Sequence, residues 1–305
     1  MARPIDLALD DKWRQSAASG RRLRRALAAV GWFCRRKPLG ALGALIVLSL
    51  LVMAGFAEWI APYAYDQQLP GARLKPPGRE YVLGTDNVGR DILSRIVYGA
   101  RVSVTVGFLT VLLGNAVAAI IGITSGYFRG RYDILVQRVV DAWQSFPYLI
   151  IILSLLAVLG PGMLNVILAL SILVAAATSR VIRSATLSVV EHPYIEAARA
   201  MGAGHLRVIL RHVLPNVTAT IVVVATIGLG GVILAESALS FLGYGVPPPH
   251  PSWGSMLSGS GRTYMYSAPW IAIWPGVAIS LVVFGFNMLG DALRDVLDPR
   301  LRGGR

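Results

Sequence analysis

Residues 193–216 read PYIEAARAMGAGHLRVILRHVLPN, a polar stretch between two long apolar runs. Pro193 suits the first turn of a helix, because its missing N–H is no loss there, and Gly202 with Gly204 supplies a break about two turns later. The stretch therefore predicts a short helix, a bend and a second helix, with a positive φ at Gly202. A water-compatible loop held between membrane spans indicates contact with another molecule.

The first of these two helices offers a narrow side to a partner. Ala197 and Ala198 are small enough to let another surface approach closely, while Glu196 and Arg199 carry charges that can orient it. The alternative is an amphipathic helix lying on lipid, which needs a broader face of bulky apolar residues than this stretch has. A protein partner is therefore the favoured interpretation.

The composition of the chain indicates a membrane protein. Of its 305 residues, 55% are hydrophobic and only 15% are charged, which is too little polar surface to cover a soluble globule of this size. The net charge of +13 could suggest nucleic acid, but the basic residues lie in the gaps between apolar runs and form no basic domain. Membrane lipid, and no nucleic acid, is the expected environment.

Metal and nucleotide chemistry have no support in the sequence. Cys34 is the lone cysteine, and the four histidines show no ligand spacing, so neither a disulfide framework nor a metal site is expected. The chain has no GxxxxGK[ST] phosphate loop. We therefore expect no cofactor bound by this chain and no catalytic residue in it.

Hydropathy predicts six membrane-spanning helices. Crossing the hydrocarbon takes about 20 apolar residues. Four charge-free runs are long enough, at 38–57, 102–128, 213–235 and 263–290. A fifth run, 142–179, is too long for one crossing and contains Gly-Pro-Gly at 160–162, so it predicts two helices, the first starting near Ile134 and the second ending near Arg183.

Basic residues near the span ends predict the orientation. Residues 1–37 contain ten Lys or Arg against three Asp, which places the N-terminus in the cytoplasm, and six crossings return the C-terminus to the same side. The segment 61–101 lies outside although it carries six basic and four acidic residues, and its length predicts a folded lobe. The first span follows 37 residues and has too long an apolar core for a cleaved signal, so it is expected to be a retained anchor.

These patterns divide the chain into five parts. They are a cytoplasmic basic segment 1–37, a first transmembrane helix 38–60, an extracytoplasmic lobe 61–101, a five-helix core 102–295 that includes the loop 191–215, and a cytoplasmic tail 296–305. The predicted fold class is an all-α integral membrane protein with six transmembrane helices.

The loop resembles the EAA loop of bacterial ABC-importer permeases. The resemblance is carried by Glu196, Ala197, Ala198 and Gly202, followed downstream by Leu-Pro at 214–215. It implies the type I ABC importer permease fold, in which a cytoplasmic coupling helix docks into a groove on the ATPase subunit. The residues that it assigns to this contact are Tyr194, Glu196, Ala197, Ala198, Arg199, Gly202, Leu206 and Pro215.

Four further blocks, at 83–103, 126–147, 236–257 and 286–300, resemble the C-type permease of dipeptide and oligopeptide ABC importers. With the loop, they are spread along the chain from residue 83 to residue 300. The resemblance implies half of a pore in the bacterial inner membrane, completed by a homologous permease subunit. It also implies two cytosolic ATPase subunits or domains that use ATP and Mg, and an extracytoplasmic peptide-binding protein. Relatives carry peptides, glutathione, nickel chelates or opines, and the sequence does not discriminate among these substrates.

The first and third blocks contain candidates for contact with the binding protein, namely Asp86, Arg90, Asp91 and Trp253. The alternative is that this region only braces the outer ends of the first two spans. Asp91 and Arg95 are also expected to pair at i,i+4 on a short helix.

Two carboxylates near span ends need partners, because an unpaired carboxylate is costly in lipid. Asp141 is expected to form an ion pair with Arg138, Arg180 or Arg183 that locks adjacent helices, and the alternative is a gate or a substrate contact. Glu236 is expected to pair with an Arg of the outer lobe, and the alternative is contact with the amino terminus of a peptide.

A proton-coupled secondary transporter is the competing class. It requires carboxylates near the bilayer midplane and usually an inverted repeat. Asp141 and Glu236 both lie toward span ends, and the sequence shows no repeat. Co-purification separates the two classes, because a secondary carrier purifies alone and a permease half should bring an ATPase with it.

Overall fold

The computed structural model describes residue 31 and residues 33–297, and in this part of the chain every regular element is a helix. A single antiparallel bridge joins Thr85 to Asp91 among the same residues. Most of the predicted basic segment 1–37, and the predicted tail 296–305 from residue 298 onward, lie outside the described residues.

The helices are numbered here in the order in which they follow along the chain. The first six are α1 Pro38–Gly55, α2 Ala57–Ile60, α3 Ile92–Phe128, α4 Gly130–Gln144, α5 Tyr148–Leu159 and α6 Met163–Val190. The next are α7 Pro193–Ala200, α8 His205–Val208, a π-helical turn Ile209–Val213 and α9 Leu214–Phe241. The last are α10 Trp253–Leu257, α11 Gly259–Thr263 and α12 Trp270–Leu297.

Five of the six predicted crossings are unbroken helices in the described residues, namely Pro38–Gly55, Ile92–Phe128, Met163–Val190, His205–Phe241 and Trp270–Val296. The remaining predicted crossing falls on a pair of helices, α4 and α5, which are bent by 84° and make a sixth span only if the two are counted as one. The bend lies before Pro147, whose ring disfavours helical backbone at the preceding residue. With 12 residues, α5 is only about 18 Å long, so it is too short to cross about 30 Å of hydrocarbon by itself.

The second span begins earlier than its charge-free run predicts. Helix α3 starts at Ile92, so the predicted boundary at residue 101 falls inside it. Asp91 is the N-cap, because its Oδ2 accepts hydrogen bonds of 2.7 Å from the backbone N–H and from the hydroxyl of Ser94. The predicted ion pair between Asp91 and Arg95 is therefore wrong. The carboxylate caps its own helix, while Arg95 lies 3.9 Å from Asp86.

Helices α3 and α6 pack backbone to backbone through glycines. A Cβ added at Gly122 would lie 2.6 Å from the carbonyl oxygen of Ser179, and one added at Gly126 would lie 2.9 Å from that of Arg183. Small residues at this spacing allow the close approach that stabilises helix pairs in membranes. The two helices therefore form a rigid unit at the centre of the bundle.

The bundle has two ends, which differ in what they carry. The lobe end carries residues 61–91 and α10, and the loop end carries α7. At the loop end, apolar side chains of α3, α6, α7, α8, the π-helical turn and α9 form one buried group, here called the inner cluster. Its members are Ala118, Ile123, Tyr127, Ile182, Ile195, Val208, Val213 and Val217.

Candidate functional site

Helix α7 begins and ends as the sequence predicts. Pro193 occupies the first turn, and Gly202 has a φ of +81° directly after the last turn. The N–H of Gly202 donates to the carbonyl oxygen of Arg199 at 2.9 Å, and that of Ala203 donates to Ala198 at 3.1 Å. This pair of bonds is the Schellman motif, which needs a left-handed residue at the glycine position. The predicted positive φ at Gly202 is confirmed.

One face of α7 is seated on the bundle, and the opposite face is free. Ile195 is buried in the inner cluster, and Ala198, three residues further along the helix, is also buried. Tyr194, Glu196 and Ala197 are exposed. The small side chain at position 198 therefore serves to bring α7 close to the bundle, whereas Ala197 faces away from it.

Exposed apolar side chains continue beyond α7. Met201 is 83% exposed and Leu206 is 70% exposed, and Leu210 follows Leu206 at i,i+4. Large apolar patches that are exposed mark sites of contact with a protein or with a membrane. The exposed residues Tyr194, Glu196, Ala197, Met201, Leu206 and Leu210 are here called the α7 surface.

The second predicted helix of the loop does not end before the next span. Residues 205–241 form one continuous apolar helical run, with a π-helical turn at Ile209–Val213 directly before Pro215. Proline has no N–H to donate to the preceding turn. The N–H of Leu214, the residue before Pro215, donates to the carbonyl oxygen of Ile209, five residues back. Pro215 therefore lies at a joint in the span, and its predicted contact with a partner stays a prediction.

A polar contact that the sequence does not reveal joins the loop to α3. The hydroxyl of Tyr127 lies 3.0 Å from Nδ1 of His205, and the guanidinium of Arg199 lies 4.8 Å from the centroid of the Tyr127 ring. Tyr127 is otherwise buried in the inner cluster. No periodicity or spacing signals this contact, because 78 residues separate Tyr127 from His205.

The acidic residues at the loop end pair differently from the prediction in one respect. Asp141 contacts Arg180, and Nη1 of Arg138 lies 3.8 Å from it, as two of its three predicted partners. Arg183 does not join them. Its Nε donates to Asp133 at 2.6 Å, and a second guanidinium nitrogen also contacts this carboxylate.

The pair that is shielded from solvent is therefore Asp133 with Arg183, and not the pair at Asp141. The Asp133 side chain is 11% exposed and also accepts a hydrogen bond from Ser125, whereas the Asp141 side chain is 47% exposed. Helix α4 turns Asp133 toward α3 and α6, and α4 leaves Asp141 at its solvent-accessible side.

Glu236 lies buried in α9, where its hydrogen-bond partners are serines. Its Oε1 accepts a hydrogen bond of 2.6 Å from Ser240, and its Oε2 lies 3.5 Å from the hydroxyl of Ser237. No Lys or Arg among the residues that the structure describes forms an ion pair with it, so the predicted pairing with an Arg of the lobe is wrong. The reason is local, because a serine one turn further along the same helix already satisfies the carboxylate.

At the lobe end, three of the four candidates for binding-protein contact are buried within this chain. Asp86 accepts hydrogen bonds of 2.9 Å from the backbone N–H groups of Val88 and Arg90. Asp91 caps α3, and the buried indole of Trp253 donates to the carbonyl oxygen of Ile96 at 3.0 Å. These contacts support the bracing alternative for Asp86, Asp91 and Trp253.

Arg90 is the candidate with a side chain partly open to solvent. Its Nε donates to Asp86 at 2.7 Å, and its side chain is 22% exposed. It lines a cavity of about 400 Å³ at the lobe end, together with Arg95, Ser240 and His250. Contact of Arg90 with a partner at this cavity stays a prediction.

Comparison with known proteins finds two matching family models. Residues 118–303 match the binding-protein-dependent transport system inner membrane component, and residues 33–77 match the N-terminal TM domain of oligopeptide transport permease C. The first match contains the loop end with α7, and the second covers α1 and the start of the lobe.

Three curated relatives are similar over most of the chain. The chain is 41% identical over 268 residues to the dipeptide transport system permease protein DppC of Alkalihalophilus pseudofirmus, covering 88% of each. It is 42% identical to a putative peptide transport system permease protein of Brucella suis, covering 86% of this chain and 88% of the relative. It is 40% identical to the glutathione transport system permease protein GsiD of Escherichia coli, covering 88% and 89%.

Among solved structures, a chain of the MetNI methionine ABC transporter in an inward-facing conformation is similar in fold. The TM-score is 0.56 at 19% identity, and the match covers 68% of this chain and 98% of that chain. At this identity the likeness supports the predicted fold, and it carries no argument about substrate.

Proposed function

This chain belongs to the family of binding-protein-dependent transport system inner membrane components, as an ABC-importer permease of the peptide and glutathione type, and we propose that it carries dipeptides or oligopeptides. The observation that supports an ATP-driven role is the α7 surface. It presents Glu196, Ala197 and Met201 to solvent on a helix whose other face is fixed to the bundle by Ile195 and Ala198.

In this proposal the chain performs no covalent chemistry. Two ATPase subunits or domains bind ATP and Mg at the loop end, and their movement displaces α7 together with the helices on which it is seated. A homologous permease subunit completes the pore. The expected contact residues are those of the α7 surface, together with Arg199 and Gly202. Family membership favours this ATP-driven scheme over a proton-coupled carrier.

The loop end faces the cytoplasm in this proposal, and the lobe end faces outward. The basic residues of segments 1–37 and 180–211 support this orientation. A peptide-loaded binding protein would then dock at the lobe end, where Arg90 borders the 400 Å³ cavity. Glutathione is the alternative substrate, because one of the similar relatives is a glutathione permease.

Single cysteines test the orientation, after Cys34 has been replaced. Arg131→Cys lies just beyond α3 at the loop end, and Tyr266→Cys lies between α11 and α12 at the lobe end; both positions are exposed. We expect a membrane-impermeant thiol reagent to label Tyr266→Cys in intact spheroplasts and Arg131→Cys only after disruption. Labelling of Arg131→Cys in intact spheroplasts would reverse the assignment of the two ends.

Gly202→Val tests the role of α7 in coupling. At a φ of +81° a β-branched residue is strained by about 1–3 kcal/mol, although its Cβ would meet no atom within 4 Å. We expect about a tenfold loss of ATP-driven uptake and of stimulated ATP hydrolysis, with membrane insertion unchanged. The measurement uses proteoliposomes with the complete complex, supplied with labelled dialanine and labelled glutathione.

Gly204→Val is the matched control, because Gly204 lies in the same turn with an ordinary φ of −65° and open space around it. Uptake by this control should stay near that of the wild type. Equal activity of the two variants would show that the shape of the α7 end does not matter for coupling. Whether labelled dialanine or labelled glutathione accumulates in the proteoliposomes decides between the two candidate substrates.

A further inference from the structure

Tyr127 is the point where the loop end holds α3 by directional contacts. It lies in the last turn of α3, and its ring is buried in the inner cluster. In the loop, Nδ1 of His205 lies 3.0 Å from the Tyr127 hydroxyl, and the guanidinium of Arg199 lies 4.8 Å from the centroid of the Tyr127 ring. These two partners flank the α7 end, one before Gly202 and one after it.

The apolar packing of the loop and its exposed ion pair with the end of α3 fix direction less well. Ile195 packs in the inner cluster and Ala198 is also buried, but apolar packing is non-directional. The ion pair of Arg129 with Glu191 joins α3 to the residue after α6, but its side chains are 43% and 70% exposed. Exposed pairs of this kind contribute about 0–1 kcal/mol.

A displacement of Tyr127 would move other helices together with α3. Gly122 and Gly126 hold α3 against α6 at backbone distance. The pair of Asp133 with Arg183 then joins α6 to α4, the first helix of the bent crossing. A movement received at Tyr127 is therefore shared by three spans.

We propose that Tyr127 is the positioning residue through which residues 193–208, here called the α7 segment, move α3: His205 holds its hydroxyl, and Arg199 holds its ring. This proposal rests on the proposed function, since it assumes that ATPase subunits displace α7. The hydroxyl contact is a single hydrogen bond whichever atom donates, because the imidazole Nδ1 donates or accepts according to its tautomer. Tyr127→Phe removes this bond and keeps the ring that Arg199 contacts.

Hydrogen–deuterium exchange of the complete complex in nanodiscs tests this proposal without a transported substrate. Exchange is compared between the nucleotide-free state and the state trapped with ATP and vanadate, in the segments 193–208 and 118–128. In the wild type we expect trapping to change exchange in both segments. In Tyr127→Phe we expect the change to persist in 193–208 and to fall about threefold or more in 118–128, the scale of one net hydrogen bond.

Tyr132→Phe is the matched control. The Tyr132 hydroxyl lies 3.1 Å from the hydroxyl of Thr124 on α3, and within the described part of the chain it makes no hydrogen bond to the α7 segment. The same chemical change at this position should leave the response of 118–128 at the wild-type level. Equal responses in Tyr127→Phe and Tyr132→Phe would overturn the proposal.

Substitutions of His205 supply a second test, in which one variant removes the contact and the other restores part of it. This test can also be used if the Tyr127→Phe complex fails to assemble. His205→Ala removes the polar partner, whereas His205→Asn keeps a polar group near the position of Nδ1. We expect His205→Ala to lose the response of 118–128 and His205→Asn to recover part of it, with thermal stability equal in the two variants. A loss that follows stability alone, with no recovery in His205→Asn, would contradict the positioning role.

The result for the wild-type complex distinguishes a failure of the Tyr127 proposal from a failure of the proposed coupling role. If trapping changes exchange in neither segment, ATP does not act on α7, and the coupling role fails. If trapping changes 193–208 but leaves 118–128 unchanged, the coupling role survives and the role of Tyr127 is overturned.

Discussion

Gly122→Ala is expected to destabilise the folded chain by about 3 kcal/mol, near the upper end of the usual cost of overpacking. The added Cβ would lie 2.6 Å from the carbonyl oxygen of Ser179 and 2.9 Å from the backbone nitrogen of Arg183. Neither atom belongs to a flexible side chain, so α3 and α6 would have to move apart. The midpoint of thermal unfolding of the detergent-purified complex measures the loss.

Gly231→Ala is the matched control for this prediction. Gly231 lies inside the membrane helix α9, and a Cβ added there meets no atom within 4 Å. Because alanine is the better helix former by about 1 kcal/mol, this variant should be as stable as the wild type or more stable. Equal destabilisation by the two substitutions would show that α3 and α6 are not packed as described.

Asp133→Asn is expected to cost about 3 kcal/mol, because it leaves the charge of Arg183 without its carboxylate partner at a shielded site. This value lies at the low end of the range for buried pairs, since the Arg183 side chain is 30% exposed. Asp141→Asn should cost about 1 kcal/mol or less, because Asp141 and Arg180 are both nearly half exposed. The free energy of unfolding of the purified complex separates the two variants.

Double-mutant cycles make this prediction specific. Arg183→Met combined with Asp133→Asn should recover part of the loss, giving a clear coupling energy, whereas the same cycle at Arg180 and Asp141 should be close to additive. A larger coupling energy at Asp141 than at Asp133 would mean that the shielded pair has been assigned to the wrong carboxylate. A complex that is fully stable but inactive in Asp141→Asn would place Asp141 in a gate or in the translocation path.

The elements that the sequence predicts well are those decided by local rules. Helix α7 follows from Pro193 and from the glycine break, and the positive φ at Gly202 follows from the need to end the helix in a left-handed residue. The apolar spans follow from the length of charge-free runs. The helix start at Ile92 does not follow from hydropathy. A charge-free run ends where charged residues begin, but a capped helix can continue past them.

The sequence by itself determined that the chain is a membrane protein with a short helix between two of its spans, because hydrophobic length and glycine conformation are properties of neighbouring residues. Only the tertiary structure decided that Arg183 binds Asp133 and that Tyr127 meets His205. The pairings of Arg183 and of Tyr127 join residues 50 and 78 positions apart. Contacts over such separations depend on which helix faces meet, and that is set by the close packing of α3 on α6 and the seating of α7 against both.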